Sequence, residues 1–289
     1  MLQRVDSHQH FWRVSRGDYG WLRADEPSLA PLLRDFGPEH LNPLRAAHGV
    51  VRTVLVQAAD STAETDFMLD LAARNAFIGG VVGWVDVSDP SSVATLERWA
   101  ANPVLKSIRP MLQDLPDAHW IAHAPHPDVM VALKRLGLRF DALVKPPNLA
   151  GLQRFLHQHP DLRVVIDHAA KPQLAQGWNA PWVAQWRRGM ASIATMPDVC
   201  CKLSGLLTEA APEQIGSVQS AVDTLKPVWH ALLAWFGPDR LMWGSDWPVL
   251  TLAADYARWV EVSDRLLAEL NPAQRQAVLH DNATRFYDL

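Results

Sequence analysis

The chain has 289 residues, of which 48% are hydrophobic and 20% are charged, a composition typical of a folded protein with a large core and unlike that of a disordered chain. Its net charge of -4 and the absence of any long run of lysine or arginine exclude the basic surface expected of a protein that binds nucleic acid or an anionic membrane. No stretch reaches the roughly 20 apolar residues of a membrane span or forms a signal peptide, so we expect a cytoplasmic protein.

Short apolar runs alternate with stretches of helical periodicity along the whole chain. The apolar runs number eight and lie at 4–6, 51–58, 79–87, 104–110, 138–144, 162–168, 199–205 and 239–246. Between them, helical periodicity covers residues 61–76, 126–137, 148–159 and 182–195. Strands that are apolar throughout indicate a parallel sheet buried on both faces. A count of eight favours a closed (β/α)8 TIM barrel.

No linker, internal repeat or change of composition divides the chain, so we expect one domain over residues 1–289, a length that (β/α)8 barrels reach. Two long irregular segments, 11–40 and 205–225, are expected to be loops over the barrel mouth. The only cysteines, Cys200 and Cys201, are adjacent. Their side chains would leave a strand on opposite faces, which indicates buried thiols rather than a disulfide or a metal-binding pair.

Ionisable side chains recur at the ends of the predicted strands. In a (β/α)8 barrel, function gathers at the carboxyl ends of the strands, where the βα loops meet. The residues at these ends are His8, His10, Arg109, Lys145, Asp167, His168, Lys202 and Asp246. The sequence therefore predicts a ring of polar groups around the mouth.

Three histidines and one aspartate of this ring form a possible metal site. His8 and His10 are two residues apart, so in a strand both rings point into the barrel. With His168 and Asp246 they offer three nitrogen ligands and one oxygen ligand to a single divalent ion, most plausibly Zn²⁺. A pair of histidines at this spacing is weak evidence alone, but its position beside two further strand ends strengthens it.

Lysine is scarce, yet three of the chain's six lysines follow strands: Lys145, Lys171 and Lys202. Ammonium groups at these positions would suit the hydroxyl and carboxylate oxygens of a ligand. An equally good interpretation is that exposed strand ends tolerate lysine. For the many tryptophans, packing in the core is the better general expectation, and stacking of Trp12, Trp84 and Trp247 on a sugar is a hypothesis.

The motifs of serine hydrolases, zincin proteases, P-loop proteins and dinucleotide-binding proteins are all absent from the sequence. A carboxylate beside a set of histidines favours hydrolysis instead. In that chemistry Asp246 takes a proton from water while an ion or the histidines polarise a carbonyl group.

Ten motifs give the chain a resemblance to one family along nearly its whole length. They are "VDSHQHFW", "DYGWL", "VRTVLVQAA", "GVVGWVDV", "IRPMLQD", "FDALVKP", "VVIDHAAKP", "CCKLSGL", "RLMWGSDWPV" and "NATRFYDL". With them the chain resembles the amidohydrolase-related sugar lactonases, the group that contains L-fuconolactonase and L-rhamnonolactonase. The resemblance implies an amidohydrolase-like barrel that hydrolyses an aldonolactone, such as L-fuconolactone or a similar deoxysugar lactone, to the aldonic acid.

The resemblance also implies roles for individual residues. Asp246 matches the general base, and His8, His10 and His168 match histidines that bind a metal ion or polarise the carbonyl. Positions near the substrate pocket are matched by Arg109, Lys145, Lys171, Lys202 and Trp247. Members of the group differ in metal content and some work without any, so we expect a mononuclear site of modest occupancy.

Two departures from the superfamily pattern modify this expectation. Binuclear members supply a bridging lysine from the fourth strand, where this chain has Arg109, so a binuclear centre is not expected. Many relatives carry Arg-His after the proline that follows strand five, where this chain has Pro147 and Asn148.

Three other functions stay open at this point. A non-oxidative decarboxylase shares the paired histidines and the aspartate of strand eight, although "HAAKP" and "KLSGL" favour a lactonase. A lactonase of the muconolactone or pyrone dicarboxylate type is a second alternative. The third, a sugar-binding protein without activity, gives no reason to gather four such residues.

Overall fold

Eight parallel strands form one sheet that curls into a barrel in the computed structural model, which describes residues 3–289. Each strand pairs with the next in the chain. The strands are β1 Arg4–Gln9, β2 Val50–Val56, β3 Ile78–Gly83, β4 Leu105–Ile108, β5 Arg139–Ala142, β6 Val164–Ile166, β7 Val199–Leu203 and β8 Leu241–Trp243. Every predicted strand is present, and the predicted (β/α)8 barrel is confirmed.

Within the part of the chain that the structure describes, ten α-helices surround or follow the barrel. They are α1 Pro38–Ala47, α2 Thr62–Arg74, α3 Ser92–Ala100, α4 Pro127–Arg135, α5 Leu149–Gln158, α6 Trp182–Ile193, α7 Val218–Phe236, α8 Tyr256–Leu266, α9 Pro272–Gln276 and α10 Asn282–Tyr287. Their apolar faces cover the outside of the sheet, which explains why the strands are apolar on both sides. No helix within residues 3–289 is long and apolar enough to cross a membrane.

The barrel closes between its first and last strands just beyond β8. The backbone amide of Asp246 donates to the carbonyl of His8 at 2.8 Å, and that of His10 donates to the carbonyl of Trp247 at 2.7 Å. These two bonds bring the paired histidines beside the aspartate at the carboxyl end of the barrel.

The opposite end is covered by the C-terminal segment. Phe286 and Tyr287 pack against valines inside the barrel. Lys106, at the start of β4, donates to the carbonyl of Asp288 at 2.7 Å. Because this end is filled by side chains, a ligand enters only from the carboxyl ends of the strands.

Two boundaries differ from the sequence prediction. Several strands end earlier than predicted, so Arg109, His168 and Asp246 follow β4, β6 and β8 instead of lying within them. The predicted loop 205–225 is wrong from Val218 onward, because α7 begins there and the hydroxyl of Ser217 accepts from the amide of Ser220 at its first turn. Cys200 and Cys201 are free thiols, the first partly and the second fully buried.

Candidate active site

Four predicted residues, His8, His10, His168 and Asp246, meet at the carboxyl end of the barrel. Nε2 of His8 lies 3.2 Å from Nε2 of His10. Oδ1 of Asp246 lies 3.3 Å from His10, 3.7 Å from His168 and 3.8 Å from His8, each measured to Nε2. All four side chains are buried, so they form a compact centre with little access to bulk water.

Three of these residues, His8, His10 and Asp246, lie close enough together to hold one divalent ion, and His8 forms a second such trio with Asp167 and His168. Tetrahedral ligands at about 2.0–2.1 Å from zinc lie about 3.3 Å from one another, which is close to the observed separations. Two of the histidines have an acceptor at Nδ1: the carbonyl of Val56 at 2.7 Å from His10 and Ser204 Oγ at 2.9 Å from His168. These partners hold the hydrogen on Nδ1 and direct Nε2 at the centre, as is typical of metal-binding histidines. Nδ1 of His8 lies instead 3.1 Å from the ammonium of Lys202 and 3.3 Å from Asp167 Oδ1.

His168 is positioned by an unusual turn. Residues His168 to Lys171 all have positive φ, between 48° and 58°, although none is glycine. Each such residue costs roughly 1–2 kcal/mol. Tertiary contacts stabilise the turn, since Trp186 Nε1 donates to the carbonyl of Ala169 at 2.7 Å. Strain of this kind concentrates at functional sites, and here it directs His168 into the centre.

Gly205 makes room for the His168 ring. A Cβ on this residue would lie 2.4 Å from Nδ1 of His168 and 3.0 Å from Oδ2 of Asp246, and φ is +61°. The "KLSGL" motif therefore has two structural reasons for its glycine, a left-handed backbone and close approach to both site residues.

A charged network lies beneath the histidines, inside the barrel. The ammonium of Lys202 contacts Asp141 at 2.6 Å, Asp167 at 2.9 Å and Nδ1 of His8 at 3.1 Å. Tyr287, from the helix that closes the other end, donates to Asp141 at 2.6 Å. Lys202 is completely buried and lies below the cavity rather than at its mouth, so it acts on the centre through His8 and Asp167.

Arg109 faces the centre from β4. Its guanidinium lies 3.3 Å from Asp167 Oδ2 and 3.4 Å from Nε2 of His8, and it donates to the carbonyl of Gln57. Gln57 in turn donates to the carbonyl of Arg109 at 2.7 Å. Because these bonds hold the side chain against the cavity, Arg109 presents a fixed positive charge there.

Burial and neighbouring charges set the protonation states of the centre. Burial, with help from Lys202, holds the pKa of His8 well below its usual range. Burial also lowers the pKa of His168 to about 4, against the attraction of Asp246. For Asp246 burial acts in the opposite direction, but His168 and the contact with His10 outweigh it and hold its pKa below the usual range. At neutral pH the centre therefore contains an ionised Asp246 beside neutral His8 and His168.

A cavity of about 150 Å³ opens over these residues. Its lining mixes charged, polar and apolar side chains: His10, Trp21, Ala58, Arg109, Met111, Gln113, Asp114, Leu143, His168, Lys171, Asp246 and Val249. A larger open groove of about 720 Å³ runs between α1 and α2 on the outer wall and includes none of the central residues. The small cavity is the site where a ligand meets the ionisable groups.

Trp21 is the tryptophan that lines this cavity. Its Nε1 donates to the carbonyl of Ala58 at 2.7 Å, and its ring packs edge-on against Trp12 at 5.5 Å. Trp12 and Trp247, proposed from the sequence, are almost fully buried behind the rim, and Trp84 lies outside the lining. For Trp21 the sequence offered two signals, the "DYGWL" motif and a position within the irregular segment 11–40.

Lys145 and Lys171 lie near the mouth, and each faces an acidic side chain. Lys145 is 2.8 Å from Asp114, and Lys171 is 3.6 Å from Glu209. Asp114 and Glu209 could not be predicted from the sequence, because each lies on a different loop from its lysine and no spacing in the chain relates the two. Asp167, which supports His8 and Arg109, was noticed only as one member of the ring.

The family model described as amidohydrolase matches residues 5–289. The chain belongs to the amidohydrolase family. It is 42% identical over 296 residues to an L-fucono-1,5-lactonase of Burkholderia ambifaria, covering 99% of this chain and 96% of that protein. It is 37% identical over 289 residues to another L-fucono-1,5-lactonase, of Burkholderia multivorans, with the same coverage of both chains.

A crystal structure of an amidohydrolase from Burkholderia multivorans with bound zinc has a TM-score of 0.90 to this chain. The two are 37% identical, and the superposition covers 99% of each chain. The barrel of this amidohydrolase is therefore shared with a zinc-containing protein over its full length.

Proposed function

We propose that this amidohydrolase hydrolyses a sugar lactone, and that its substrate is L-fucono-1,5-lactone or a similar deoxy-aldonolactone. The observation that carries the proposal is the ionised carboxylate of Asp246 among three histidines, at the base of a cavity sized for one small ring. Identity of 42% to an L-fucono-1,5-lactonase along the whole chain supports the same substrate class.

Asp246 is the general base of the proposed reaction. Its carboxylate takes a proton from the water that attacks the lactone carbonyl, and the protonated acid then gives that proton to the ring oxygen as the C–O bond breaks. The lowered pKa of Asp246 keeps this carboxylate ionised at neutral pH. The left-handed backbone at Asp246, with φ of 59°, fixes the direction from which it acts.

Arg109 is placed to stabilise the negative charge that develops on the carbonyl oxygen. Its guanidinium is held by the carbonyl of Gln57 and by Asp167, so it needs no reorganisation when the charge appears. His10 has its Nδ1 hydrogen committed to the carbonyl of Val56, which makes Arg109 the better donor of the two.

His8, His10 and Asp246 would hold one divalent ion, which we propose to be zinc, and His168 adjoins them through its contact with Asp246. When bound, such an ion polarises a carbonyl group or lowers the pKa of water. The carbonyl of Val56 would orient the ring of His10 toward it, and Ser204 fixes the ring of His168.

A screen of aldonolactones with a pH indicator tests the proposal. The purified protein is assayed with and without a chelator, and metal content is measured in parallel. We expect acid release from a deoxy-aldonolactone, with zinc as the metal found. Absence of acid release from every aldonolactone would refute the proposed function, whereas activity unchanged by metal removal would refute only a catalytic role for the ion.

A further inference from the structure

Every cation near the cavity has an acidic partner. Arg109 and Lys171, which line it, lie 3.3 Å from Asp167 and 3.6 Å from Glu209. Lys145 sits farther out, 2.8 Å from Asp114. The positive charges that a carboxylate-bearing ligand would seek are thus already neutralised by the protein.

Of the two ion pairs at the rim, Lys171–Glu209 affects the electrostatic potential in the cavity more than Lys145–Asp114 does. Its side chains are 22% and 20% exposed, whereas those of Lys145 and Asp114 are 38% and 64% exposed. Charges that are largely buried are screened less by water and salt than exposed ones. The state of Glu209 therefore decides how much positive potential Lys171 projects into the cavity.

The two members of this pair come from neighbouring loops. Lys171 ends the left-handed turn after β6, and Glu209 follows β7. The backbone of Lys171 is fixed by its hydrogen bond to the carbonyl of His168 at 2.8 Å, so the ammonium cannot easily leave the mouth. Removal of the acid would expose that charge rather than displace it.

We propose that Glu209 is a specificity-determining residue, which pairs with Lys171 and so makes the cavity select uncharged lactones over lactones that carry a carboxylate. An anionic substrate would gain no net attraction from the paired ammonium. A neutral polyhydroxylated ring needs no net charge and can accept a hydrogen bond from Lys171, which lines the cavity. This inference rests on the proposed function.

Two substrates of similar shape test it. L-Fuconolactone is neutral, and galactarolactone carries a carboxylate where the deoxysugar lactone has a methyl group. The quantity measured is the ratio of kcat/KM for galactarolactone to kcat/KM for L-fuconolactone. We expect Glu209→Gln to raise this ratio about ten-fold, equivalent to about 1.4 kcal/mol, and added salt to reduce the gain.

Two further variants separate this effect from a general change of charge or fold. The double variant Lys171→Gln/Glu209→Gln should lose the gain, because the freed ammonium is its source. Asp161→Asn makes the same change of net charge at a pair with Lys134 outside the cavity lining, and it should leave the ratio at the wild-type value.

An unchanged ratio in Glu209→Gln would overturn the inference, and so would an equal rise in Asp161→Asn or a gain that persists in the double variant. Failure of the wild-type protein to hydrolyse any neutral aldonolactone would instead refute the proposed function. Thermal melting of each variant, with its activity on L-fuconolactone, reports whether the variant is folded.

Discussion

Gly205→Ala should disable the centre without touching any of its ionisable groups. The new methyl group would lie 2.4 Å from Nδ1 of His168, whereas real contacts of this kind are essentially never below 3.0 Å. The imidazole must therefore shift by at least 0.6 Å, the difference between these two distances. It cannot shift freely, because Ser204 and the buried turn hold it.

The expected cost has two parts. Alanine at a φ of +61° adds roughly 1–2 kcal/mol of backbone strain. Misplacement of a site residue by about 1 Å reduces turnover on the order of a hundred-fold. We therefore expect kcat/KM for the aldonolactone to fall about a hundred-fold in the pH-indicator assay, together with a lower melting temperature.

Gly137→Ala is the matched control. Gly137 also has positive φ, +68°, but a Cβ there would meet nothing within 4 Å, and it follows α4 at the end of the barrel away from the cavity. The Gly137→Ala variant should show the same decrease in stability as Gly205→Ala but keep the wild-type activity. Near wild-type kcat/KM in Gly205→Ala, or an equal loss in Gly137→Ala, would refute the reasoning.

Two further predictions concern the loop that carries Trp21. Glu64 is fully buried and accepts from the hydroxyl of Tyr19 at 2.8 Å, and burial raises its pKa from 4.5 to about 7. The folded protein therefore keeps a proton that the unfolded chain releases, and stability should fall by about 3 kcal/mol as the pH rises from 4.5 to 7. Urea unfolding at several pH values measures the free energy of unfolding, which should fall less with rising pH in Glu64→Gln than in the wild-type protein. Equal falls in the two proteins would contradict this. Trp21→Ala should raise KM about ten-fold with little change in kcat, because it removes about 1.4 kcal/mol of ring contact. An unchanged KM in Trp21→Ala would exclude a binding role.

Much of the fold could be predicted because parallel strands buried on both faces appear as continuous apolar runs. Runs such as 51–58 and 199–205 stand out without any knowledge of their neighbours. Strand ends were harder to place. The predicted strand 162–168 extends two residues past the last ladder pair at Ile166, and only the tertiary structure shows that His168 has left the strand.

The centre itself was predictable because its residues are chemically distinctive and follow strands. The turn that orients His168 was not, since "HAAK" contains no glycine or asparagine and four consecutive residues with positive φ are not expected from any of its side chains. That conformation is imposed by contacts with Trp186 and Ser204, which are distant in sequence. The position of Lys202 was equally hidden, because its burial depends on Asp141 and Asp167 from two other strands or strand ends.

The most direct test of the account is the turnover of Asp246→Asn. Asparagine tolerates the left-handed backbone at this position, so the fold should persist, as a circular dichroism spectrum would show. Loss of the general base should lower kcat by a factor of about 10²–10⁴ on the aldonolactone that the wild-type protein hydrolyses. A folded Asp246→Asn protein with undiminished kcat would contradict the central claim that this carboxylate activates the attacking water.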